Sequence, residues 1–198
     1  MTRFRSIVGS MLAILLAGCT PEGQPAAGTE TALAPAAAAG WGEEDMIAYL
    51  GKRIETARDK FLQLADAVPE AEWDYRPMDG VRSFGEVFIH VAADNWAPVW
   101  MDLDVTEEAP IGRSMEAFRD YQAVRPKAET RTELERSFRY LLAALAASRG
   151  HWREQVTMGE SEWEMGQMWV ALTTHMHEHL GQSIAYARAN RIVPPWSR

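Results

Sequence analysis

The sequence predicts an all-α fold. Three observations carry this: apolar residues recur at helical spacing along four long stretches, two Ser/Thr-x-x-Glu starts stand at their heads, and no strand-like alternation competes. The 198 residues are 47% hydrophobic and 24% charged, an ordinary globular balance that suits one domain plus an N-terminal extension.

Residues 1–18 read as a secretory leader. Arg3 and Arg5 make a positive start, and Ile7 to Ala17 form an apolar run of 11 residues. A membrane-spanning helix needs roughly 20 such residues, so spanning is disfavoured. The run ends in Leu16-Ala17-Gly18-Cys19, the pattern of a bacterial lipobox, whose cysteine is lipidated and becomes the mature N-terminus. The competing reading is an ordinary signal peptide with a cysteine beside it. Thr20 follows where an Asp often retains such proteins at the inner membrane. The expected location is therefore the periplasmic face of the outer membrane, with Cys19 as the anchor. Residues 19–42 are rich in Ala, Pro and Gly without apolar period and read as a flexible tether, with the folded domain over 43–198.

The first helix is expected from Glu43 to Ala67, with Met46, Ile47, Leu50, Ile54, Ala57, Phe61 and Leu64 at helical spacing and Pro69 beyond its end. A turn-rich loop runs from Glu70 to Arg82. Ser83-Phe84-Gly85-Glu86 is a capping box that starts the second helix, and Pro98 is expected to kink it near Asp94. A polar connection from Asp102 to Lys127 has room for a short helix at Ser114–Tyr121. The third long helix is expected to start at Thr130-Arg131-Thr132-Glu133, and the fourth to span Met165–Asn190 before Pro194-Pro195. Such amphipathic helices should pack as a bundle.

Net charge is -8, and residues 1–18 hold two arginines and no acid, so the remainder is more acidic still. An acidic surface repels phosphate backbones, which makes nucleic acid a poor partner. Cys19 is the single cysteine, so no intramolecular disulfide forms.

Three of the five histidines crowd into Thr174-His175-Met176-His177-Glu178-His179. Helix positions four apart share a face, so His175 and His179 look the same way and His177 looks elsewhere. Gln182 shares their face and Glu178 borders it. Two core imidazoles are costly unless their nitrogens are occupied. Either a metal ion occupies them or they are hydrogen-bonded core histidines. Three ligands and one open position make a catalytic site. His90 is the best third ligand, since it borders the apolar side of the second helix, and Asp94 one turn on can orient it. His175-Met176-His177-Glu178-His179 also matches the H-x-x-E-H pattern of inverted zincin peptidases, but no acidic residue follows Glu178 to complete that ligand set.

The segment Ser83 to Ala92 around His90, and the segment from His175 through Gln182 to Ser197, resemble the signatures of the DinB/YfiT-like metalloenzymes. Lys127 and Ser137 fit as well, and the resemblance covers about Glu43 to Ser197. It implies a four-helix bundle in up-down-down-up order, with a divalent metal, zinc or nickel, on His90, His175 and His179. It also implies thiol-dependent transferase or isomerase activity in some members, and a homodimer in many. One departure is Arg191, where relatives often have Gly at the helix end; Asn190 is expected to take the left-handed cap instead.

The resulting expectation is a metal-dependent enzyme acting on an unidentified small molecule. Its open position activates water or a thiol, as a hydrolase or a thiol-dependent transferase. Glu178 would move the proton and Gln182 would orient the bound group. Trp96, Trp100 and Trp169 either wall an apolar pocket or are plain core. The rival expectations are a non-catalytic metal-binding or interaction module, closed by a fourth protein ligand, and a metal-free structural relic.

Overall fold

The computed structural model describes residues 40–158 and 160–197. The leader, Cys19 and nearly all of the tether lie outside the described residues. Among the described residues no helix is long and apolar enough to cross a membrane.

The fold is mostly helical. Helix α1 (Glu43–Ala67) buries Ile47, Leu50, Ile54, Ala57, Phe61 and Leu64, the stripe that its spacing predicts. The Asp45 carboxylate accepts from the Gly42 N–H and closes its first turn. Helix α2 (Phe84–Asn95) starts at the expected capping box: the Ser83 N–H donates to Glu86 Oε2 at 2.6 Å and the Glu86 N–H to Ser83 Oγ at 3.3 Å. It is buried on almost every side, as an element packed between neighbours must be.

The expected kink near Asp94 does not occur. Helix α2 ends at Asn95, and Pro98 lies in the first turn of a separate 3₁₀ segment, Ala97–Met101, where its missing N–H costs nothing. Helix α3 (Met115–Tyr121) is capped by Ser114, whose Oγ accepts from the Ala117 N–H. Helix α4 (Lys127–Ala147) starts one turn before the expected Thr130. Pro126 takes the N-cap, and its carbonyl accepts from the Thr130 N–H. That leaves Glu133 free to accept from the Tyr121 hydroxyl rather than to cap a helix.

The expectation of no strand is also corrected. Strands β1 (Gln155–Met158) and β2 (Ser161–Glu164) form an antiparallel hairpin, with Val156 opposite Trp163. Val156, Met158 and Trp163 face the core while Gln155, Thr157 and Glu162 face solvent. Helix α5 (Met165–Ala189) follows directly. Its end differs from expectation: Arg191 takes the left-handed conformation (φ 59°), whereas Asn190 stays at φ -91° and its amide donates to the Tyr186 carbonyl.

Helices α1 and α2 each pack against both α4 and α5. Phe61, Phe88 and Phe138 join α1, α2 and α4 at the centre, and Phe84 meets Tyr186 between α2 and α5. The Asn95 amide donates to Ser137 Oγ at 3.0 Å, a buried polar tie between α2 and α4.

Two tryptophan-glycine contacts set the entries of α2 and α5. The Gly85 N–H donates to the Trp73 carbonyl and the Gly166 N–H to the Trp152 carbonyl, and each indole occupies the space that a Cβ on its glycine would need. These two helices carry His90, His175 and His179.

Candidate metal centre

Helix α2 carries His90 and Asp94, four residues apart; helix α5 carries His175 and His179 at the same spacing. Four residues is about one helical turn, so each pair presents stacked side chains. Where α2 and α5 pack, the two pairs meet. One potential ligand atom from each of the four residues lies within 4.8 Å of every other. His175 Nε2 is 3.1 Å from His179 Nε2 and 3.2 Å from Asp94 Oδ2, and His90 Nε2 is 3.3 Å from the same carboxylate oxygen. Metal–ligand bonds of about 2.0–2.2 Å set neighbouring donors roughly 3–3.5 Å apart, so these spacings suit a single ion.

The outer nitrogens explain why the inner ones face one another. His90 Nδ1 lies 2.8 Å from Gln122 Oε1, and His179 Nδ1 lies 2.8 Å from Gln182 Oε1. Each amide is oriented by its other end: Gln122 Nε2 donates to the Phe118 carbonyl and Gln182 Nε2 to the Tyr186 hydroxyl. The amide oxygens therefore face the imidazoles, which must donate from Nδ1. His175 Nδ1 has Glu178 Oε2 at 3.4 Å. With Nδ1 donating, the Nε2 atoms of His90 and His179 turn lone pairs inward, beside His175 Nε2 and a carboxylate oxygen that is buried without an aligned hydrogen bond. Lone pairs this close repel unless a cation sits among them. The donor chemistry therefore fits a divalent metal.

Burial holds the pKa of His90 and of His179 below the ordinary imidazole value. His175 is the exception: the Asp94 carboxylate, helped by Glu178, raises it. His175 also differs in exposure, its side chain being 44% accessible, so it lies at the rim rather than in the core.

The rim opens onto a cavity of about 240 Å³. Asp94 and His175 stand at its wall, and Met115, Phe118, Met158 and Met168 line it with Trp100 and Trp163. The two readings of the tryptophans divide between them. Trp96 and Trp169 are fully buried core, and Trp96 donates its indole N–H to the Tyr121 hydroxyl. Trp100 alone of the expected three reaches the cavity, and Trp163 from the hairpin joins it.

Glu178 sits outside the cluster with its side chain 76% exposed, on the outer nitrogen of His175. Gln182 lies behind His179, both ends of its amide engaged. His177 points away from the cluster to the Thr173 carbonyl, and His151 pairs locally with Glu154.

Sequence reasoning missed two roles. Asp94 was expected only to orient His90, yet its oxygen stands among the potential ligands; the signal was the His90-x-x-x-Asp94 spacing, which repeats that of His175 and His179. Gln122 lies beyond α3, 32 residues from His90, and no spacing rule links them.

A search of curated proteins finds none that matches this chain. The family model of the DinB superfamily matches residues 53–183, a span that takes in all four potential ligands together with Gln122, Glu178 and Gln182. With more than half of its length matched, and with the potential ligands inside that span, the chain belongs to the DinB superfamily.

Proposed function

We propose that this protein is a divalent-metal-dependent enzyme, with the ion held by His90, His175 and His179. One observation carries the reading: three imidazole Nε2 atoms and Asp94 Oδ2 converge at the wall of an apolar cavity. A zinc or nickel ion there would act as a Lewis acid on water or a thiol, the chemistry of a hydrolase or a thiol-dependent transferase. The residues around it divide the remaining work. Gln122 and Gln182 hold the outer nitrogens of His90 and His179, which makes them positioning residues. Asp94, at the cavity wall, is placed to accept a proton from a group bound beside His175. Glu178, exposed on His175 Nδ1, would orient that ring from the solvent side.

Asp94 is also the fourth donor that a closed, non-catalytic site would need. Against closure stand the exposure of His175 and the cavity that both residues line. Cobalt substitution separates the two readings. An open site changes its visible absorption when azide or a small thiol is added; a closed four-ligand site does not respond. Elemental analysis of wild type and of His90→Ala, His175→Ala and His179→Ala tests the ligands themselves, and unchanged metal content would refute the assignment.

The same reading takes the helices as a four-helix bundle in up-down-down-up order and the protein as a homodimer. It takes residues 1–18 as a leader and residues 19–42 as a tether that holds the domain, by a lipid on Cys19, to the periplasmic face of the outer membrane. Metabolic labelling with a fatty-acid analogue, lost in Cys19→Ser, tests the anchor.

A further inference from the structure

The cavity beside the cluster has a chemistry of its own. Its wall comes from the 3₁₀ segment after α2, from α3, from the hairpin and from α5. Three methionines and three aromatic rings supply most of it, with Ala97, Ala171 and Leu172 between them. Asp94 and His175 are the only titratable groups on the wall among the described residues, and both belong to the metal cluster. Among the described residues no Lys or Arg lines it. A substrate body with several hydroxyls, amides or carboxylates would lose its water here and find too few partners on a wall whose polar groups beyond Asp94 and His175 are indole N–H groups such as that of Trp163, which costs more than the cavity can return. A flat apolar body faces the opposite balance: methionine sulfur and aromatic edges make favourable contacts with a ring. The size agrees. A dry, apolar cavity of about 150 Å³ accepts benzene, so about 240 Å³ takes one ring with a short substituent.

We infer that the substrate is a small aromatic compound whose ring occupies this cavity and whose polar reacting group lies at Asp94 and His175. The inference rests on the metal reading above and specifies the substrate class for that site. It also makes Met158 and Trp163 specificity residues, because the hairpin supplies one side of the ring's enclosure.

Two hydroxamates test it on the full-length protein. Acetohydroxamate and benzohydroxamate offer the same metal-binding head, and only the second carries a ring. Binding to zinc-loaded protein is followed by calorimetry and by the fluorescence of the tryptophans on the wall. The expected result is at least a tenfold preference for benzohydroxamate, with fluorescence changed by that probe. In Ala171→Leu, which fills the cavity, the preference falls towards unity while metal content stays at the wild-type level. Equal affinities of the two probes on zinc-loaded wild type would overturn the substrate class and leave the metal reading standing. Failure of wild type to take up metal would overturn the metal reading, and the inference with it. The comparison on wild type stands even if the variant fails to fold.

Discussion

His175 and His179 face each other through their Nε2 atoms at 3.1 Å, while Glu178 and Gln182 hold the opposite nitrogens. Two neutral rings in this arrangement direct lone pairs at one another. In the metal-free protein Asp94 favours the protonated form of His175, which eases this. A divalent ion relieves it more completely and enlists His90 as well. Metal should therefore stabilise the fold. Free ion at about 100 times its dissociation constant adds roughly 2.7 kcal/mol. For a domain of this size that raises Tm by several degrees. Thermal melts with and without zinc check this. His90→Ala and His179→Ala should each remove the rise, and a rise that persists in both would rule out the site.

Affinity for metal should depend on pH through His175. Its pKa lies above the ordinary 6.5, so its proton competes with the ion as pH falls through that raised value. His90 and His179 have lowered values and compete only below 6.5. The signs for the metal-free fold follow the same split. The contribution of His175 to stability is present below 6.5 and lost as pH rises through its folded value. That of His90 and His179 is present above 6.5 and lost as pH falls through theirs. Just above 6.5, the proton that binding releases should come chiefly from His175, and titrations in buffers of different ionisation enthalpy measure the release. Asp94→Asn should shift the onset of binding to lower pH, because it removes the main cause of the raised value.

Gln122 acts on the metal through His90. Its oxygen fixes the tautomer that leaves Nε2 free. Gln122→Ala should lower metal affinity by about 10–100-fold with little change in stability, since the side chain is only partly buried. Gln122→Glu keeps an acceptor at that place and should restore most of the affinity. Competition with a chromophoric chelator measures both. An unchanged affinity in Gln122→Ala would remove Gln122 from the site.

The parts of this fold that were legible in the sequence are those with many repeats of one signal. Seven apolar positions mark α1, and a reciprocal cap marks the start of α2. The hairpin was hidden because each strand has four residues, too few for Val156 and Met158 to establish an alternation. Thr130 looked like a cap because its chemistry is that of a cap, and tertiary packing instead placed it inside a helix that Pro126 begins. In the site, the pairs one turn apart were visible because they lie on single helices. The cavity was not, since it is assembled from segments between Asp94 and His175 that share no periodic pattern.

The end of α5 carries a small, removable strain. Arg191 holds a left-handed backbone at φ 59°, with the Ile192 N–H reaching back to the Ala187 carbonyl. A side chain in that region costs about 1 kcal/mol that glycine does not. Arg191→Gly should therefore stabilise the protein by up to ~1 kcal/mol, read from urea denaturation at unchanged m.

Glycine at the entries of α2 and α5 is the opposite case. A Cβ on Gly85 would lie 2.5 Å from the Trp73 indole nitrogen, and one on Gly166 would overlap the Trp152 ring. The Trp73 ring cannot step aside cheaply, being buried and stacked on Phe88 at 5.3 Å. Trp152 is half-buried and packs against the core, with its backbone tied to Gly166. Overpacking of this kind costs about 1–3 kcal/mol. Gly85→Ala and Gly166→Ala should each destabilise by that amount, against the helical preference for alanine. Gly181 is the internal control: it lies within α5, and a Cβ there meets nothing within 4 Å. Gly181→Ala should gain up to ~1 kcal/mol. Because Gly85 and Gly166 anchor the two helices that carry the histidines, their variants should also weaken zinc binding, while Gly181→Ala should not. Stability that falls without loss of affinity would show that the cluster is positioned by the helix contacts further along rather than by the tryptophan-glycine entries.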